Sequence, residues 1–551
     1  MKLKFINPLL VGLLVAYISS CDDNTKVKDL NPGKINQENL KKWISVIASD
    51  DFQGRFPSTL GEERTIKYLA EQFKELGAKP GNGDSFFQEV PLIQNSADPS
   101  MKLFVSNGQK ELAFNYFDDF IGGTPLSAEK VDISKTDLVF VGYGINAPEF
   151  SWNDYKDVDV KGKIVIALVN DPGYYDSTLF HGKNMTYYGR WIYKYEEAAR
   201  QGATGVVLIH QTEPASYPWG VVQNSWVGPR FYLANNIVTQ SGMKFQSWIT
   251  SDGAKKVFGL AGLDFEKEVK DASKVGFKPI DLGLKASINF KNKTKIEKSH
   301  NVVALIPGTD LANEYIIYTA HWDHFGINNK FKGDSILNGA LDNATGTAAL
   351  LMVAKAYMNQ QVKPRRSILI MATTCEEQGL LGSEYYAENP IYPLNKTVAV
   401  INMDALNVFG ITKDMNISGY GFSELDDYAK EVLKEHGRYA SFQKDQSAGG
   451  YYRSDHFSFT KVGVPTINLT SGGDLLDKEK QKEVDARCDS IYKNYHKPSD
   501  NYNPNLWVFD GMVEDIKIYF EVGYKLSQTD KFPNWNEGVL YKPKRDEMMK
   551  K

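Results

Sequence analysis

Tyr315-Ile-Ile-Tyr-Thr-Ala-His-Trp-Asp-His324 decides how the C-terminal half of this 551-residue chain is read. A run of six residues suited to a buried strand ends abruptly in two histidines and an aspartate. Two later runs end in a similar way. Arg366-Ser-Ile-Leu-Ile-Met-Ala372 leads into Cys375-Glu-Glu377, and Thr397-Val-Ala-Val-Ile-Asn402 leads into Met403-Asp404. Near-continuous apolar runs of this length suit strands covered on both faces, as in a mainly parallel sheet connected by helices. In open α/β sheets, sites form beyond the carboxyl ends of the strands. Three strands here deliver His, Glu and Asp to one such edge.

Working outward, Asn301–Ile306 and Val462–Leu469 read as further strands. Thr345–Met358 reads as a helix whose apolar face is Leu350, Leu351, Val353 and Ala354, and Phe509–Leu526 as a closing helix. Toward the N-terminus, Leu40, Trp43, Ile44 and Ile47 recur at helical spacing. A second helix is expected over Glu62–Leu76, with Asp51–Arg55 as a loop between the two. The pattern changes near Asp132. Leu138–Ile145, Lys161–Leu168 and Gly205–His210 read as strands and Tyr193–Gln201 as a helix, without a concentration of metal-ligating residues.

The expected fold class is therefore α/β, a mainly parallel central sheet flanked by helices, with an inserted β-rich α+β domain. The expected boundaries are a first part over 37–129, the insertion over 130–285, the core over 286–530 and a C-terminal tail over 531–551.

A net charge of -4 gives no support for a strongly basic nucleic-acid-binding surface. The first residues are basic, and an apolar stretch from Phe5 to about Ile18 follows, too short for a stable membrane span. Residues 1–20 read as a signal peptide. Ser19-Ser-Cys21 resembles a bacterial lipoprotein processing site, so Cys21 is expected to carry lipid, with 21–36 as a tether and the protein exported to the cell envelope. The remaining cysteines, Cys375 and Cys488, do not make a disulfide framework, and spacing leaves a single bridge between them open.

The candidate site residues each have a plain alternative. His321 and Asp323 are two apart on extended chain and can share a face. A lone histidine there would be structural, but a nearby carboxylate suits a metal-binding ring. Asp342 sits in Asn338-Gly-Ala-Leu-Asp-Asn-Ala-Thr-Gly346, either as a helix N-cap or as a bridge between metals. Glu376-Glu377 is either a solvated pair or a ligand beside a proton-transfer group. His496, in Tyr495-His-Lys-Pro-Ser-Asp500, taken by itself reads as a surface histidine. Together with Asp404 these groups suit a pair of borderline metals, zinc first.

With these residues in order, the sequence resembles the co-catalytic zinc exopeptidases of clan MH, which include bacterial leucyl aminopeptidases and glutamate carboxypeptidase. The matching stretches also include Leu341-Asp-Asn-Ala-Thr-Gly346, Glu376-Glu-Gln-Gly-Leu-Leu-Gly-Ser383 and Arg453-Ser-Asp-His456. Gly142-Tyr-Gly144, Val160-Lys-Gly-Lys-Ile164 and Ala199-Arg-Gln-Gly-Ala203 are similar to a protease-associated domain, which many members carry as an insertion. The resemblance implies two zinc ions per chain. His321 and Asp404 would hold one, Glu377 and His496 the other, and Asp342 would bridge them ahead of a cis peptide to Asn343. It implies Glu376 as general base on a metal-bound water and Asp323 as the group orienting His321. Tyr452, Asp455 and His456 are candidates for contacts to the substrate or its oxyanion, and His324 is read as a supporting residue.

The activity implied is removal of N-terminal residues from peptides. The alternatives are a glutamate-releasing carboxypeptidase or dipeptidase and, with altered metal use, a glutaminyl cyclase. A non-catalytic binding lipoprotein would be expected to have lost ligands, and none is missing.

Overall fold

One strand, Ile280–Ile306, belongs to two sheets. In the computed structural model, which describes residues 34–226 and 228–550, its first half pairs with Lys130–Phe140 and Lys102–Ser106. Its second half pairs with Phe87–Ala97 and Arg366–Thr373. The expected signal peptide, Cys21 and most of the expected tether lie outside the described residues. Among the described residues, no helix is long and apolar enough to cross a membrane.

The first sheet has a parallel centre. Arg366–Thr373, Leu311–His321, Thr397–Asn402 and Thr466–Ser471 lie side by side and run the same way. Antiparallel neighbours flank them, Ile280–Ile306 on one side and Asp414–Ser418 on the other. Arg366–Thr373 and Thr397–Asn402 are buried at every position, which is why their sequences are almost uniformly apolar rather than alternating. The helix Thr345–Met358 was expected to bury one face. It is buried on nearly all sides, because it packs between the strand Leu311–His321, the helix Gln37–Ile47 and the long helix Phe509–Ser527.

The second sheet contains Lys130–Phe140, Ile164–Leu168, Gly205–His210 and Phe245–Thr250, all parallel, with Phe120–Gly123 antiparallel at one edge. It has its own cores on its two faces, around Phe140, Ile166 and Phe258 on one side and Val165, Leu208 and Trp248 on the other. The sheet begins earlier than the boundary read at Lys130. Lys102–Ser106, Glu111–Asn115 and Phe120–Gly123 already belong to it. These strands are short and partly polar, so their sequence did not announce the change. Nor is the far boundary a linker, since Lys285 lies inside the shared strand. Arg230–Leu233, from within the expected insertion, pairs instead with Phe87–Ala97 at the edge of the first sheet.

Asp50–Arg55, which includes the expected loop Asp51–Arg55, is a tight pair of 3-10 turns, with Gln53 and Gly54 at positive φ. The expected C-terminal tail, described to residue 550, is held against the rest of the chain. Trp535 and Arg545 are each 1% exposed; the Trp535 indole donates to the Gly463 carbonyl (2.9 Å) and Arg545 Nη2 to the Thr397 carbonyl (2.9 Å). The question left open about the cysteines is answered: Cys375 and Cys488 are both free thiols.

The long helix packs tightly on the strand Leu311–His321 at Tyr318. The buried Tyr318 hydroxyl donates to the Tyr519 carbonyl (3.0 Å) and meets the Tyr357 hydroxyl (3.1 Å). A Cβ on Gly523 would collide with that hydroxyl. Gly523→Ala is therefore expected to lose about 1–3 kcal/mol of stability through overpacking. Gly259→Ala, at an exposed helical position where a Cβ meets nothing, is expected to gain up to about 1 kcal/mol. Chemical denaturation of the two variants checks both signs.

Candidate metal centre

The parallel strands set the position of the centre. His321 is the last residue of Leu311–His321, Glu376 and Glu377 follow Arg366–Thr373 by three and four residues, and Asp404 follows Thr397–Asn402 by two. Because these strands run the same way, their ends open on one edge. Asp342 arrives from the turn that starts the helix Thr345–Met358, and His496 from the segment after the helix Gln481–Tyr492.

All six side chains converge. Asp342 is shared between the two histidines: Oδ1 lies 3.2 Å from Nε2 of His321, and Oδ2 lies 3.1 Å from Nε2 of His496. Glu377 Oε2 is 3.2 Å from the same His496 nitrogen. Asp404 Oδ1 and Glu376 Oε2 lie 3.6 and 4.0 Å from Nε2 of His321. The Asp342–Asn343 peptide is cis. Nδ1 of His321 is 3.1 Å from the Asp323 backbone carbonyl, so a proton held there leaves Nε2 as the free lone pair. Imidazole nitrogens and carboxylate oxygens meeting in a buried space are the donor set of zinc, and the residues fit such an ion.

The expected partnership between Asp323 and His321 takes another form. The Asp323 carboxylate is 3.9 Å from the ring, and its Oδ1 accepts the Glu376 backbone N–H (3.0 Å). Asp323 thus ties the His321 strand end to the glutamate pair, while its own carbonyl meets the ring. His324, read as supporting, lies with Nδ1 2.6 Å from Glu377 Oε1.

Crowding sets the proton affinities. Burial raises the Asp323 carboxyl to about 8 and pushes Glu376 well above the usual carboxylate range, with Glu377 and Asp404 adding repulsion. Burial acts in the same direction on Asp342, but hydrogen bonds from His321 and His496 outweigh it and hold Asp342 well below its ordinary value. Burial alone would lower His496. The neighbouring Glu377 and Asp342 instead lift it to about 10.

Backbone contacts hold the loops. Asn343 Nδ2 donates to the Met403 carbonyl (3.1 Å), and its Oδ1 accepts the amides of Gly346 and Ala405, joining the Asp342 turn to the Asp404 loop. Asp500 accepts the amides of Leu341 and Asp342 (3.0 and 3.2 Å). Gly339 adopts φ +51°, and a Cβ there would strike the His324 ring and the Asp342 carbonyl.

Residues 301–519 match the model of peptidase family M28. This region of the chain is similar to that family. A glutamate carboxypeptidase 2 homolog of Caenorhabditis elegans is 33% identical over 509 residues, which is 80% of this chain and 60% of that protein. Aminopeptidase NAALADL1 of Rattus norvegicus is 26% identical over 254 residues, covering 41% of this chain and 31% of its own length. The chain thus spans less than two thirds of these curated relatives. Among solved structures, an aminopeptidase from Aneurinibacillus sp. strain AM-1 superposes with a TM-score of 0.52 at 17% identity, over 93% of this chain and 97% of that one, and has the same fold.

Within the M28 region, three candidate substrate contacts separate. Asp455 is fully buried beside the centre, where Oδ2 accepts the Thr373 hydroxyl (2.5 Å). Tyr452 and His456 are drawn instead into an aromatic cluster. The Tyr452 ring packs against Tyr451 and Phe457, and the wholly buried His456 ring lies edge-on to Tyr451 at 4.9 Å. Burial lowers His456 to about 3, which keeps it neutral.

Arg55 acquires a role that its sequence did not signal. It lies N-terminal to the M28 region and is 0% exposed. Nε donates to the Trp322 carbonyl (2.7 Å), Nη1 to those of Ile47 (3.0 Å) and Asn338 (2.6 Å), and Nη2 to that of Gly339 (2.9 Å). One guanidinium therefore clamps the backbone after His321 to the turn before Asp342. A lysine offers three donors from one point and cannot reproduce this planar fork. Loss of such outer support typically costs metal affinity about 10–100-fold. Arg55→Gln is expected to lose zinc to a competing chelator at about 10–100-fold lower chelator concentration than the parent, without rescue by Arg55→Lys. Zinc per chain, read beside the melting curve, separates this from unfolding.

Proposed function

We propose that this chain is a two-zinc aminopeptidase that removes N-terminal residues from peptides. The observation that carries the reading is the division of Asp342 between His321 and His496, with the half-buried Glu376 beside them. On this reading His321 and Asp404 would hold one zinc and Glu377 and His496 the other, with Asp342 contributing to both. Bound zinc supplies Lewis-acid polarisation of the scissile carbonyl and lowers the pKa of water.

The side chains supply the proton transfers. Glu376 takes the proton from the attacking water and returns it to the departing amine nitrogen. Asp323, through the Glu376 amide, fixes the backbone from which the base projects. The second sheet is proposed to be a protease-associated insertion, and residues 1–21 to export the protein and anchor it to the envelope by lipid.

A glutamate-releasing carboxypeptidase is the second reading, supported by the nematode relative's name. Aminoacyl-p-nitroanilides with N-acetylated controls discriminate. Cleavage of free-amine substrates only, lost with chelator and restored by zinc, is the expected result. Release of C-terminal glutamate from a blocked dipeptide, with the anilides untouched, would replace it. Glu376→Gln is expected to lower kcat by about 10²–10⁴-fold at unchanged zinc content.

A further inference from the structure

Glu62 is a buried carboxylate that the chemistry above does not use, and it lies N-terminal to the residues that match family M28. It sits in the first turn of the helix Leu60–Glu75 and is 4% exposed. Its Oε2 accepts the Ser58 amide (2.5 Å) and the Ser299 hydroxyl (2.8 Å), and its Oε1 lies 2.9 Å from Nδ1 of His300. Ser299 and His300 belong to the shared strand Ile280–Ile306, which runs antiparallel to Arg366–Thr373.

The bonds continue toward the metal centre. The Ser299 oxygen is 2.6 Å from the Thr374 hydroxyl. An ionised carboxylate only accepts hydrogen bonds, so the Ser299 proton points to Glu62 and the Thr374 proton to Ser299. Thr374 directly follows the strand Arg366–Thr373, and Cys375, Glu376 and Glu377 come next. The Thr374 amide donates to Asn301 Oδ1 (3.0 Å), and the Thr374 carbonyl accepts the Gly382 amide (2.9 Å). Cys375 adopts φ +54°, a left-handed conformation that a non-glycine residue keeps only where its surroundings fix it.

The chain from Glu62 is such a fixture. Ser299 and Thr374 are both 0% exposed, so water does not replace a bond lost between them. The same carboxylate also reaches the neighbouring strand end. The carbonyl of His300 accepts the indole N–H of Trp322 (3.0 Å), the residue after His321.

We propose that Glu62 is a positioning residue for the peptidase centre: through Ser299 and Thr374 it fixes the corner at Cys375 from which Glu376 and Glu377 project. This rests on the peptidase reading above and adds to it a residue of the N-terminal helix.

Ser299→Ala and Thr374→Val each remove one hydroxyl of the chain. Each is expected to lower kcat about tenfold, with KM changed less than about twofold. Each is also expected to lose zinc to a competing chelator at about tenfold lower chelator concentration than the parent. The double variant is expected to lose no more than the worse single variant, because the two hydroxyls act as one unit. Glu62→Gln keeps an oxygen for Ser58 and Ser299 and turns an amide N–H toward His300 Nδ1, so it is expected to retain most of the parental kcat, whereas Glu62→Ala is not. Ser247→Ala removes an equally buried hydroxyl from the second sheet, and is expected to lower the melting temperature with kcat and KM unchanged.

Chain variants that lose stability alone, as Ser247→Ala does, overturn the inference. So do losses in the double variant that equal the product of the single losses, or a Glu62→Gln variant as impaired as Glu62→Ala. Zinc competition reads the corner independently of turnover. Weakened zinc retention in the chain variants of a protein that cleaves no free-amine peptide leaves the inference standing and overturns the aminopeptidase reading instead.

Discussion

Asp323, Asp342, Glu376, Glu377, Asp404, Asp455 and Asp500 surround the rings of His321, His324 and His496 in a largely buried space. Seven carboxylates cannot all be charged there without cations, because a buried charge loses hydration and like charges repel. The response is visible residue by residue. Asp323, Glu376, Asp455 and Asp500 are pushed toward the protonated form by burial, whereas Asp342 is held ionised by its two histidines. A divalent cation held among them would meet the same demand more fully, and its binding would then be linked to stability.

Holding those groups together falls to interactions outside the ligand set. The parallel strands bring His321, Glu377 and Asp404 to one edge, but the Asp342 turn and the His496 segment come from other directions. Arg55 spans the first gap by donating to Trp322, Asn338 and Gly339 carbonyls. Asn343 and Asp500 span the others through backbone amides. These bonds also satisfy main-chain groups in a turn that has no ladder to pair with, where an unpaired buried amide is costly.

The shared strand Ile280–Ile306 couples the second sheet to the first without a flexible hinge at that point. The Lys461 ammonium adds a second tie, from the helix after Asp455 to Glu196 in the helix Trp191–Arg200.

The sequence by itself determined the α/β class, the ligand-bearing strand ends and the helix Thr345–Met358, because these follow from local pattern: uninterrupted apolar runs, a helical period and acidic or imidazole residues placed where the runs stop. Motif resemblance also picked out His321, Asp342, Glu377, Asp404 and His496, which the structure brings together, although His496 alone looked like a surface residue. Only the tertiary structure decided what depends on contacts distant in sequence. Arg55 is 267 residues from Trp322 and 284 from Gly339, and no local pattern marks a guanidinium that bonds carbonyls so far away. The same holds for the early start of the second sheet, whose short strands acquire their identity from partners such as Ala286 and Trp248. It holds for the docked C-terminus, and for Tyr452 and His456, which an aromatic cluster draws into the interior. Local chemistry is written along the chain, whereas burial and charge balance exist only once distant segments share a volume.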